Sequence, residues 1–583
     1  MKAGLLAFGS LILAAPAFAQ TPDPLAPLVQ TSPPAATSMT QAVPPPAVLA
    51  ATAPKDWRGV FDAIDAGQWA AAQAGIAALP PGILTPVAKA ELYTARGSPA
   101  VDLASLQALI AEAPEIPQAD QLAALAQKRG ATTPLLVVPE RATVNLGSAP
   151  VRYKARPVQG EPAADALRAL LDPLIKTDDA SGAEAQLLIY APQLSVEARA
   201  EAAQRVAFVY YVLGLDMDAR RVSDTWRQGA TGEWASQAAW VSGLASWRLG
   251  DCESASRDFQ QVAALAQQRE LRAGGLYWAA RAEQMCRRPA AVEPLLRAAA
   301  NTVEGPESFY GLIARQTLGM STELPSDPFT GRDPQIDQYP NVQRAMELAR
   351  IGEPALAEEM LRHQAKIGQP AEHHALIQLA KKLDLPAAQL WLANNGQPGA
   401  RSDAADRYPN PKWSPVMGWR VDPALAFGHI VQESAFRRTA VSLAGAVGLM
   451  QVLPITAQLV SRNRGVPYTN AALTDPKYNL EYGQSFIEMM RGNSGTAGQL
   501  PRVIASYNAG PLPVARWATI NDKGDPLLWI ESIPYWETRY YVPAVLRNMW
   551  VYQGLNDEGT PTLKAMAEHH WPAFPTGMTR LQH

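Results

Sequence analysis

Apolar residues recur at helical spacing over one long stretch, residues 56–400, and this pattern constrains the fold more than any other feature. Gly, Pro or Asp interrupts it at intervals that suit helical hairpins. The aromatic residues Trp240, Trp278 and Tyr310 recur within it at 38 and 32 residues. Hairpins repeated at such a period stack into a superhelix with a concave face. The stretch therefore predicts an α-superhelical domain, with an ordinary helical domain as the alternative.

Two local features qualify this prediction. Residues 131–165 lack helical periodicity, so we expect a long loop or short strands there, between two helical sections. Cys252 and Cys286 lie 34 residues apart, which is about one repeat, and stacked neighbours can bring such a pair within bonding range. We therefore hypothesise a disulfide between them.

The first residues, MKAGLLAFGSLILAAPAFA, predict a cleavable signal peptide over residues 1–19. Lys2 is followed by a short apolar run and by the small-x-small sequence Ala17-Phe18-Ala19; a buried N-terminal helix is the alternative. No cysteine lies near the cleavage site, so a lipoprotein anchor is not expected. Residues 20–55 are rich in Pro and Ala and predict a disordered linker. No later apolar run is long enough for a transmembrane helix, so we expect an exported, soluble protein.

Composition narrows the function classes. A chain of 583 residues is too long to fold around one hydrophobic core, so we expect two to four domains. The net charge of -3 argues against a dedicated nucleic-acid binder, which would carry an excess of basic residues. No H-E-x-x-H spacing occurs, and the adjacent pairs His373-His374 and His569-His570 point in different directions on a helix. We therefore expect neither a metal site nor a cofactor.

A change of character near residues 401–415 predicts a second domain over 412–555, followed by a tail over 556–583. Asp422 and Pro423 are typical of a helix start, and the next residues are apolar nearly all round, which predicts a buried helix. Leu425, His429 and Glu433 share one face of it.

Glu433 lies near the predicted C-terminus of this helix. The helix dipole and apolar surroundings both disfavour its anion there, so the pKa of its carboxyl should be raised, as a general acid requires. A charge at a helix end is more often merely solvated. Between Ser434 and Thr474 there is no other acidic residue, so nothing nearby in sequence supplies the second carboxylate of a hydrolase.

Three further motifs follow Glu433: GAVGLMQ, SYNAG and ESIPYWETRYYV. They supply amide and aromatic side chains, which carbohydrate sites use to bind and stack sugars. Together with ESAF at Glu433, they resemble the family 1 soluble lytic transglycosylases of bacterial cell walls. That family's pattern is E-S-x-F/W, G-A/S-x-G-L-M-Q, A/S-Y-N-A-G and E-x-I-P-F/Y-x-E-T-R-x-Y-V. The resemblance is strong over 412–555 and weaker upstream, at GLYWAARA and SFYGLIARQTLG.

The resemblance implies an all-α fold, in which a ring-like superhelix of helical repeats precedes a goose-lysozyme-like catalytic domain. It also implies cleavage of the β-1,4 bond between N-acetylmuramic acid and N-acetylglucosamine. Carried over by position, Glu433 matches the catalytic acid/base. The predicted substrate-binding residues are Ser442, Gln451, Tyr507, Asn508, Glu537 and Tyr540, with Glu531 as the motif's other acid and Tyr541 as an alternative aromatic. Three positions depart from the family pattern: Arg437, Leu443 and Leu453.

Other residues have plainer interpretations. His429 either tunes Glu433 or is a packed histidine, and the second is the commoner case. Met450 is expected in the core rather than as a ligand. Glu537 with Arg539 is expected to form a structural ion pair or a loop clamp rather than a second catalyst.

The sequence thus predicts a periplasmic lytic transglycosylase whose single glutamate acts first as acid and then as base, giving 1,6-anhydro products. A concave helical surface would favour exolytic cleavage of peptidoglycan strands. Three alternatives remain open: a muramidase on the same fold, a wall-binding or scaffold protein with an inactive domain, and a superhelix that docks other cell-wall proteins.

Overall fold

The computed structural model describes residues 53–302, 306–324 and 334–575. The predicted signal peptide and nearly all of the predicted linker lie outside the described residues, as does the end of the tail. Within the described ranges, no helix combines the length and apolar character needed to cross a membrane.

The described residues are mostly helical, which confirms the predicted all-α class. The first fourteen α-helices, in chain order, are α1 (Trp57–Asp65), α2 (Trp69–Ala78), α3 (Thr85–Thr94), α4 (Leu103–Glu112), α5 (Ala119–Lys128), α6 (Pro162–Lys176), α7 (Ala180–Tyr190), α8 (Val196–Val212), α9 (Asp216–Trp226), α10 (Glu233–Leu249), α11 (Cys252–Leu265), α12 (Arg269–Met285), α13 (Pro289–Ala300) and α14 (Phe309–Thr317). The others are α15 (Pro340–Ile351), α16 (Pro354–Ile367), α17 (His373–Lys382), α18 (Pro386–Asn394), α19 (Pro423–Glu433), α20 (Pro454–Arg464), α21 (Pro476–Arg491), α22 (Leu500–Ala509), α23 (Pro511–Trp517), α24 (Pro526–Glu531), α25 (Trp536–Leu555) and α26 (Pro561–Ala567).

The stretch between α5 and α6 is irregular apart from one short strand, as its lack of helical periodicity predicted. Strand β1 (Val144–Asn145) pairs antiparallel with β2 (Asn395–Gly396), and Val144 is opposite Gly396. Five short 3₁₀ turns complete the regular structure of the described residues.

The chain forms two compact units. The described part of the first covers residues 53–146 and 334–402, so helices from both ends of the predicted superhelical region fold together in it. Its main core joins α1–α3 with α15–α18 through buried side chains such as Phe61, Leu84, Leu361, Leu376 and Leu392. A second cluster packs α4 and α5 against α3.

The described part of the second unit covers residues 147–302, 306–324 and 403–575. It contains α6–α14 together with every helix from α19 onward. The predicted domains, 56–400 and 412–555, stay a prediction. In the structure, the helices of 147–324 belong to the same compact unit as the region that carries the motifs. The elements that surround Glu433 all belong to this unit.

Consecutive helices from α8 to α13 pack against one another, as stacked hairpins do. The three aromatic residues at repeat spacing are buried and meet: Trp278 donates a hydrogen bond from Nε1 to the Tyr310 hydroxyl at 3.0 Å, and the Trp240 and Tyr310 rings lie 6.4 Å apart. Cys252 and Cys286 form the hypothesised disulfide, which ties the start of α11 to the end of α12. The interpretation of this region as helical hairpins is confirmed.

Helix α19 begins as predicted, because the Asp422 carboxylate accepts the Ala424 N–H and Pro423 occupies the first turn. Its residues from Pro423 to Ile430 are buried, which its uniformly apolar sequence predicted. The helix packs on α25, and Gly428 allows a close approach: a Cβ there would lie 3.0 Å from the Val545 carbonyl oxygen. This contact places the end of α19 beside the first turns of α25.

Candidate active site

Glu433 is the last residue of α19, and the chain leaves the helix sharply after it. Ala435 and Phe436 both take positive φ angles, 50° and 65°, which non-glycine residues rarely adopt. The Phe436 ring is buried between Trp413 and Phe427, and this packing fixes the turn. The backbone strain therefore lies in the two residues, Ala435 and Phe436, that end the helix beside Glu433.

The Glu433 carboxyl is surrounded mostly by protein, although the residue keeps a partial opening to solvent. Its Oε1 accepts a hydrogen bond from the Tyr541 hydroxyl at 2.5 Å. Burial raises the pKa of Glu433 to about 7; the Tyr541 hydrogen bond opposes this rise and the charge of Glu537 adds to it. The predicted upward shift is confirmed, so a substantial fraction of this carboxyl carries a proton at neutral pH.

His429 lies one turn before Glu433 and has no exposed surface. Its Nδ1 is 2.7 Å from the Tyr541 hydroxyl oxygen, and its ring lies 4.5 Å from the Tyr507 ring. Burial lowers the pKa of His429 to about 3, so the imidazole is neutral. His429, Tyr541 and Glu433 thus form one hydrogen-bonded series.

The loop that follows α19 carries two predicted substrate residues. The Ser442 hydroxyl accepts the Ala446 N–H at 3.0 Å, and the Gln451 side-chain amide donates to the carbonyl oxygens of Ala440 and Gly448. Gly448 has φ +83°, and a Cβ there would lie 2.2 Å from the Leu473 carbonyl oxygen. Only glycine fits, which explains the second glycine of GAVGLMQ.

Tyr507 and Asn508 lie near the end of α22. The Tyr507 hydroxyl donates to the Met450 carbonyl oxygen at 2.7 Å, so it ties this helix to the loop of GLMQ. Asn508 accepts from Thr538 at 2.6 Å and lies 3.4 Å from Glu537 Oε1. Glu537 itself is exposed, and its negative charge contributes to the raised pKa of Glu433. Asn508 and Glu537 therefore lie together near Glu433, and their part in substrate binding stays a prediction.

The rest of the last motif has a different environment. Glu531 is fully buried and forms an ion pair with Arg152 at 2.7 Å, and it accepts a hydrogen bond from the Tyr310 hydroxyl at 2.6 Å. The Tyr540 ring lies against the same guanidinium, 4.5 Å from it. Tyr541, not Tyr540, contacts Glu433; the predicted binding role of Tyr540 stays a prediction.

The expected ion pair between Glu537 and Arg539 is wrong. Arg539 is buried, and its guanidinium donates instead to the carbonyl oxygens of Ile533 and Pro534, with the Phe208 ring 3.7 Å away. It acts as a clamp on the Ile533-Pro534 loop without Glu537. Met450 is buried, as expected for a core residue.

Two residues of this region carry no local sequence signal. Arg152 lies in the irregular stretch before α6, 379 residues from its partner Glu531. Tyr541 was one of two neighbouring tyrosines, and only the phase of α25 decides which of them faces Glu433.

Part of this chain is similar in sequence to known proteins. Residues 417–530 match the family model for the transglycosylase SLT domain, which confirms the resemblance inferred from the motifs. The soluble lytic murein transglycosylase of Escherichia coli K12 is 30% identical over 277 residues, which are 45% of this chain and 41% of the relative. The Salmonella typhimurium protein of the same name is 30% identical over 255 residues, 41% of this chain and 38% of the relative. The chain thus spans less than half the length of the curated relatives it matches.

The fold is similar to that of a solved structure over most of the chain. The 70 kDa soluble lytic transglycosylase of Escherichia coli superposes with a TM-score of 0.52 and 18% identity. The similarity covers 89% of this chain and 98% of that chain. It therefore extends beyond the SLT domain to the helical region that precedes it, which agrees with the predicted fold.

Proposed function

We propose that this protein is a peptidoglycan lytic transglycosylase that cleaves the β-1,4 bond between N-acetylmuramic acid and N-acetylglucosamine. The observation that carries the proposal is Glu433. Within a region that matches the SLT domain, it is an enclosed carboxyl with a pKa of about 7 and no cationic partner at hydrogen-bonding distance in the described ranges. The relatives named as murein transglycosylases support the substrate.

The reaction uses Glu433 twice. The protonated carboxyl gives its proton to the glycosidic oxygen, and the bond from that oxygen to C1 of the muramoyl residue breaks. The muramoyl N-acetyl oxygen stabilises the cation at C1. The Glu433 carboxylate, which accepts the Tyr541 hydrogen bond, then takes the proton of the C6 hydroxyl as O6 attacks C1. A 1,6-anhydro ring forms and Glu433 is protonated again, with no water consumed.

An intramolecular nucleophile suits this site because it removes the need for a second catalytic carboxylate. Two other acids of this region have structural roles: Glu531 is paired with Arg152, and Asp475 is the cap of α21. Ser442, Gln451, Asn508 and Tyr507 are proposed to line the glycan site around Glu433, with Tyr540 as a more distant contributor.

A muramidase on the same fold is the second candidate, and one observation favours it. Glu537 is exposed and near enough for its charge to raise the pKa of Glu433, so it is a possible second carboxylate. In a muramidase, Glu537 would serve as nucleophile or base, and Glu537→Gln would abolish cleavage. In a transglycosylase, where Glu537 would contact substrate without taking part in the chemistry, the same variant would bind glycan less well but would still cleave it.

Mass spectrometry of the products from purified murein decides between the two. A transglycosylase releases muropeptides that are lighter by one water than those of a muramidase and that borohydride does not reduce. Products with a reducible muramic acid end would refute the proposal and support the muramidase. Sacculi that bind the protein but do not clear would instead indicate a wall-binding protein.

We further propose exolytic action in the periplasm, with the stacked helices of α8–α13 as a surface for glycan strands or for other cell-wall proteins. The signal-like N-terminus supports export, and the helical repeats support an extended binding surface. Time-resolved analysis of digests of intact sacculi tests the exolytic part. Early release of mostly mid-length glycan fragments would contradict it.

A further inference from the structure

We infer that His429 is a positioning residue for Glu433: its Nδ1–H donates to the Tyr541 oxygen and so directs the Tyr541 hydroxyl hydrogen onto Glu433 Oε1. The inference deepens the proposed function and rests on it for its consequence in catalysis. Its structural basis is the hydrogen-bonded series of three side chains, in which Nδ1 and the hydroxyl oxygen are 2.7 Å apart and that oxygen and Oε1 are 2.5 Å apart.

The central group of the series has only one hydrogen. A tyrosine hydroxyl donates once and accepts through its lone pairs, so Tyr541 donates either to His429 or to Glu433 but not to both. If His429 donates to the Tyr541 oxygen, the Tyr541 hydroxyl must donate to Glu433; if His429 accepts, the hydroxyl can donate to His429 instead. The tautomer of His429, which decides whether Nδ1 carries a hydrogen, therefore sets the direction of the Tyr541 hydrogen bond.

His429 has a clear preference between its two neutral tautomers. It is fully buried, and its Nε2 has no hydrogen-bond partner among the described residues. With the hydrogen on Nε2, a buried N–H would be left without an acceptor, which costs more than an unpaired lone pair. With the hydrogen on Nδ1, the N–H bonds to Tyr541. Burial lowers the pKa of His429 to about 3, so the doubly protonated form does not compete.

The titratable groups around this series come from three helices. Tyr507 of α22 faces the His429 ring, Tyr541 and Glu537 belong to α25, and Glu433 shares α19 with His429. Neither a lysine nor an arginine is within ion-pair distance of Glu433 in the described parts of the chain. The Tyr541 hydrogen bond is thus the one described contact that favours the Glu433 anion over its neutral form.

The fixed direction has two consequences for Glu433. First, Oε1 is held as an acceptor, which leaves Oε2 as the oxygen that carries and transfers the proton. Second, the carboxylate that forms after the first proton transfer already has its hydrogen-bond donor in place, so no side chain must reorient before the C6 hydroxyl is deprotonated. A packed histidine without this role would influence neither.

The first test needs no activity. The full-length protein is labelled with ¹⁵N-histidine, and long-range ¹H–¹⁵N correlation reports the tautomer of each ring; the His429 signals are those lost in His429→Asn. We expect a neutral Nδ1–H tautomer from pH 5 to 8. An Nε2–H tautomer or a protonated ring would overturn the inference, and neither result depends on what the enzyme cleaves.

The second test is the pH dependence of murein cleavage by four variants. His429→Leu keeps an apolar volume but removes the donor, whereas His429→Asn keeps an N–H near the Nδ1 position. Because the first step needs protonated Glu433, activity falls as pH rises through its pKa. Without the N–H on its oxygen, the Tyr541 hydroxyl is a weaker donor to Glu433. The pKa of Glu433 then rises, so we expect the alkaline limb of His429→Leu to move up by about 0.5–1 pH unit. His429→Asn should restore it.

Tyr541→Phe completes the cycle. It should move the alkaline limb at least as far as His429→Leu does, and adding His429→Leu to it should cause no further shift. An unchanged limb in His429→Leu, or a shift that adds to that of Tyr541→Phe, would overturn the inference. If the products carried reducible ends, the proposed transglycosylase reaction would fail while the tautomer and the coupled shift still stood.

Discussion

Glu433 and Glu531 invite comparison, because each is the last residue of its helix and both are enclosed by the second unit. Glu531 is paired with the Arg152 guanidinium and accepts a hydrogen bond from Tyr310. Glu433 accepts a hydrogen bond from Tyr541 but has no cation beside it in the described ranges. The two carboxylates thus differ in one respect above all, the presence of a partner charge.

That difference separates a structural carboxylate from a chemical one. Removing an anion from water is costly, and a partner cation offsets the cost only when it is well placed. Arg152 is so placed, because its guanidinium also lies 5.0 Å from the Trp240 ring and 4.5 Å from the Tyr540 ring. Without such a partner, Glu433 responds by retaining its proton, and burial raises its pKa to about 7.

The largest expected effect is on catalysis by Glu433→Gln. An amide cannot give up a proton to the leaving oxygen, so clearing of purified sacculi should fall by about 10³-fold or more. The variant should still fold, by circular dichroism, and still sediment with sacculi. Glu568→Gln, which changes an exposed carboxylate, is the matched control and should clear sacculi normally. Substantial residual cleavage by Glu433→Gln would assign the acid to another residue.

The second effect is on stability and comes from breaking the other pair. Arg152→Met leaves Glu531 buried without its cation and should lower the free energy of unfolding by about 3–5 kcal/mol, measured by urea denaturation. Replacing both residues, as Arg152→Met with Glu531→Leu, should recover most of the loss. If the single and double variants were equally unstable, packing around Arg152 rather than charge would be responsible.

A third prediction concerns pH and Glu433. A carboxyl whose folded pKa is raised stabilises the protein below its unfolded pKa of about 4.5, and this stability is lost as pH rises through about 7. The free energy of unfolding of Glu433→Gln, measured relative to the wild type by thermal unfolding, should therefore rise by about 1–3 kcal/mol between pH 5 and pH 8. A constant difference across this range would mean that Glu433 is not buried as an unpaired acid.

The smallest effect compares the two tyrosine donors. Tyr310→Phe removes one hydrogen bond from Glu531 but leaves Arg152 in place, so it should cost about 1–2 kcal/mol of stability. It should not move the alkaline limb of activity, whereas Tyr541→Phe should. A shift of that limb by Tyr310→Phe would show that the two carboxylates are coupled.

The local half of this picture could be predicted from the sequence. The start of α19, its burial and the raised pKa at its end follow from Asp422, Pro423 and the apolar residues between them and Glu433. Gly448 of GAVGLMQ lies at a close backbone approach that only glycine permits, which is the kind of position that a glycine in a motif indicates. These features depend on residues a few positions apart, where helix geometry fixes the neighbours.

The non-local half could not be predicted. Arg152 reaches Glu531 across 379 residues, and nothing in either segment indicates the other. Adjacent helical residues point about 100° apart, so assigning Tyr541 rather than Tyr540 to Glu433 required the rotation of α25, which packing sets. Arg539 is two residues from Glu537 and was expected to pair with it, but the nearer carbonyl oxygens of Ile533 and Pro534 take its donors.

Among the described residues Glu433 has no neutralising cation beside it, and it therefore keeps its proton near neutral pH. Titration of ¹³C-labelled glutamate side chains by NMR tests it most directly, with the Glu433 signal identified by its loss in Glu433→Gln. We predict a midpoint near 7 for this carboxyl. A midpoint near the ordinary value of about 4.5 would contradict it, because Glu433 would then be an anion at neutral pH and could not serve as the acid.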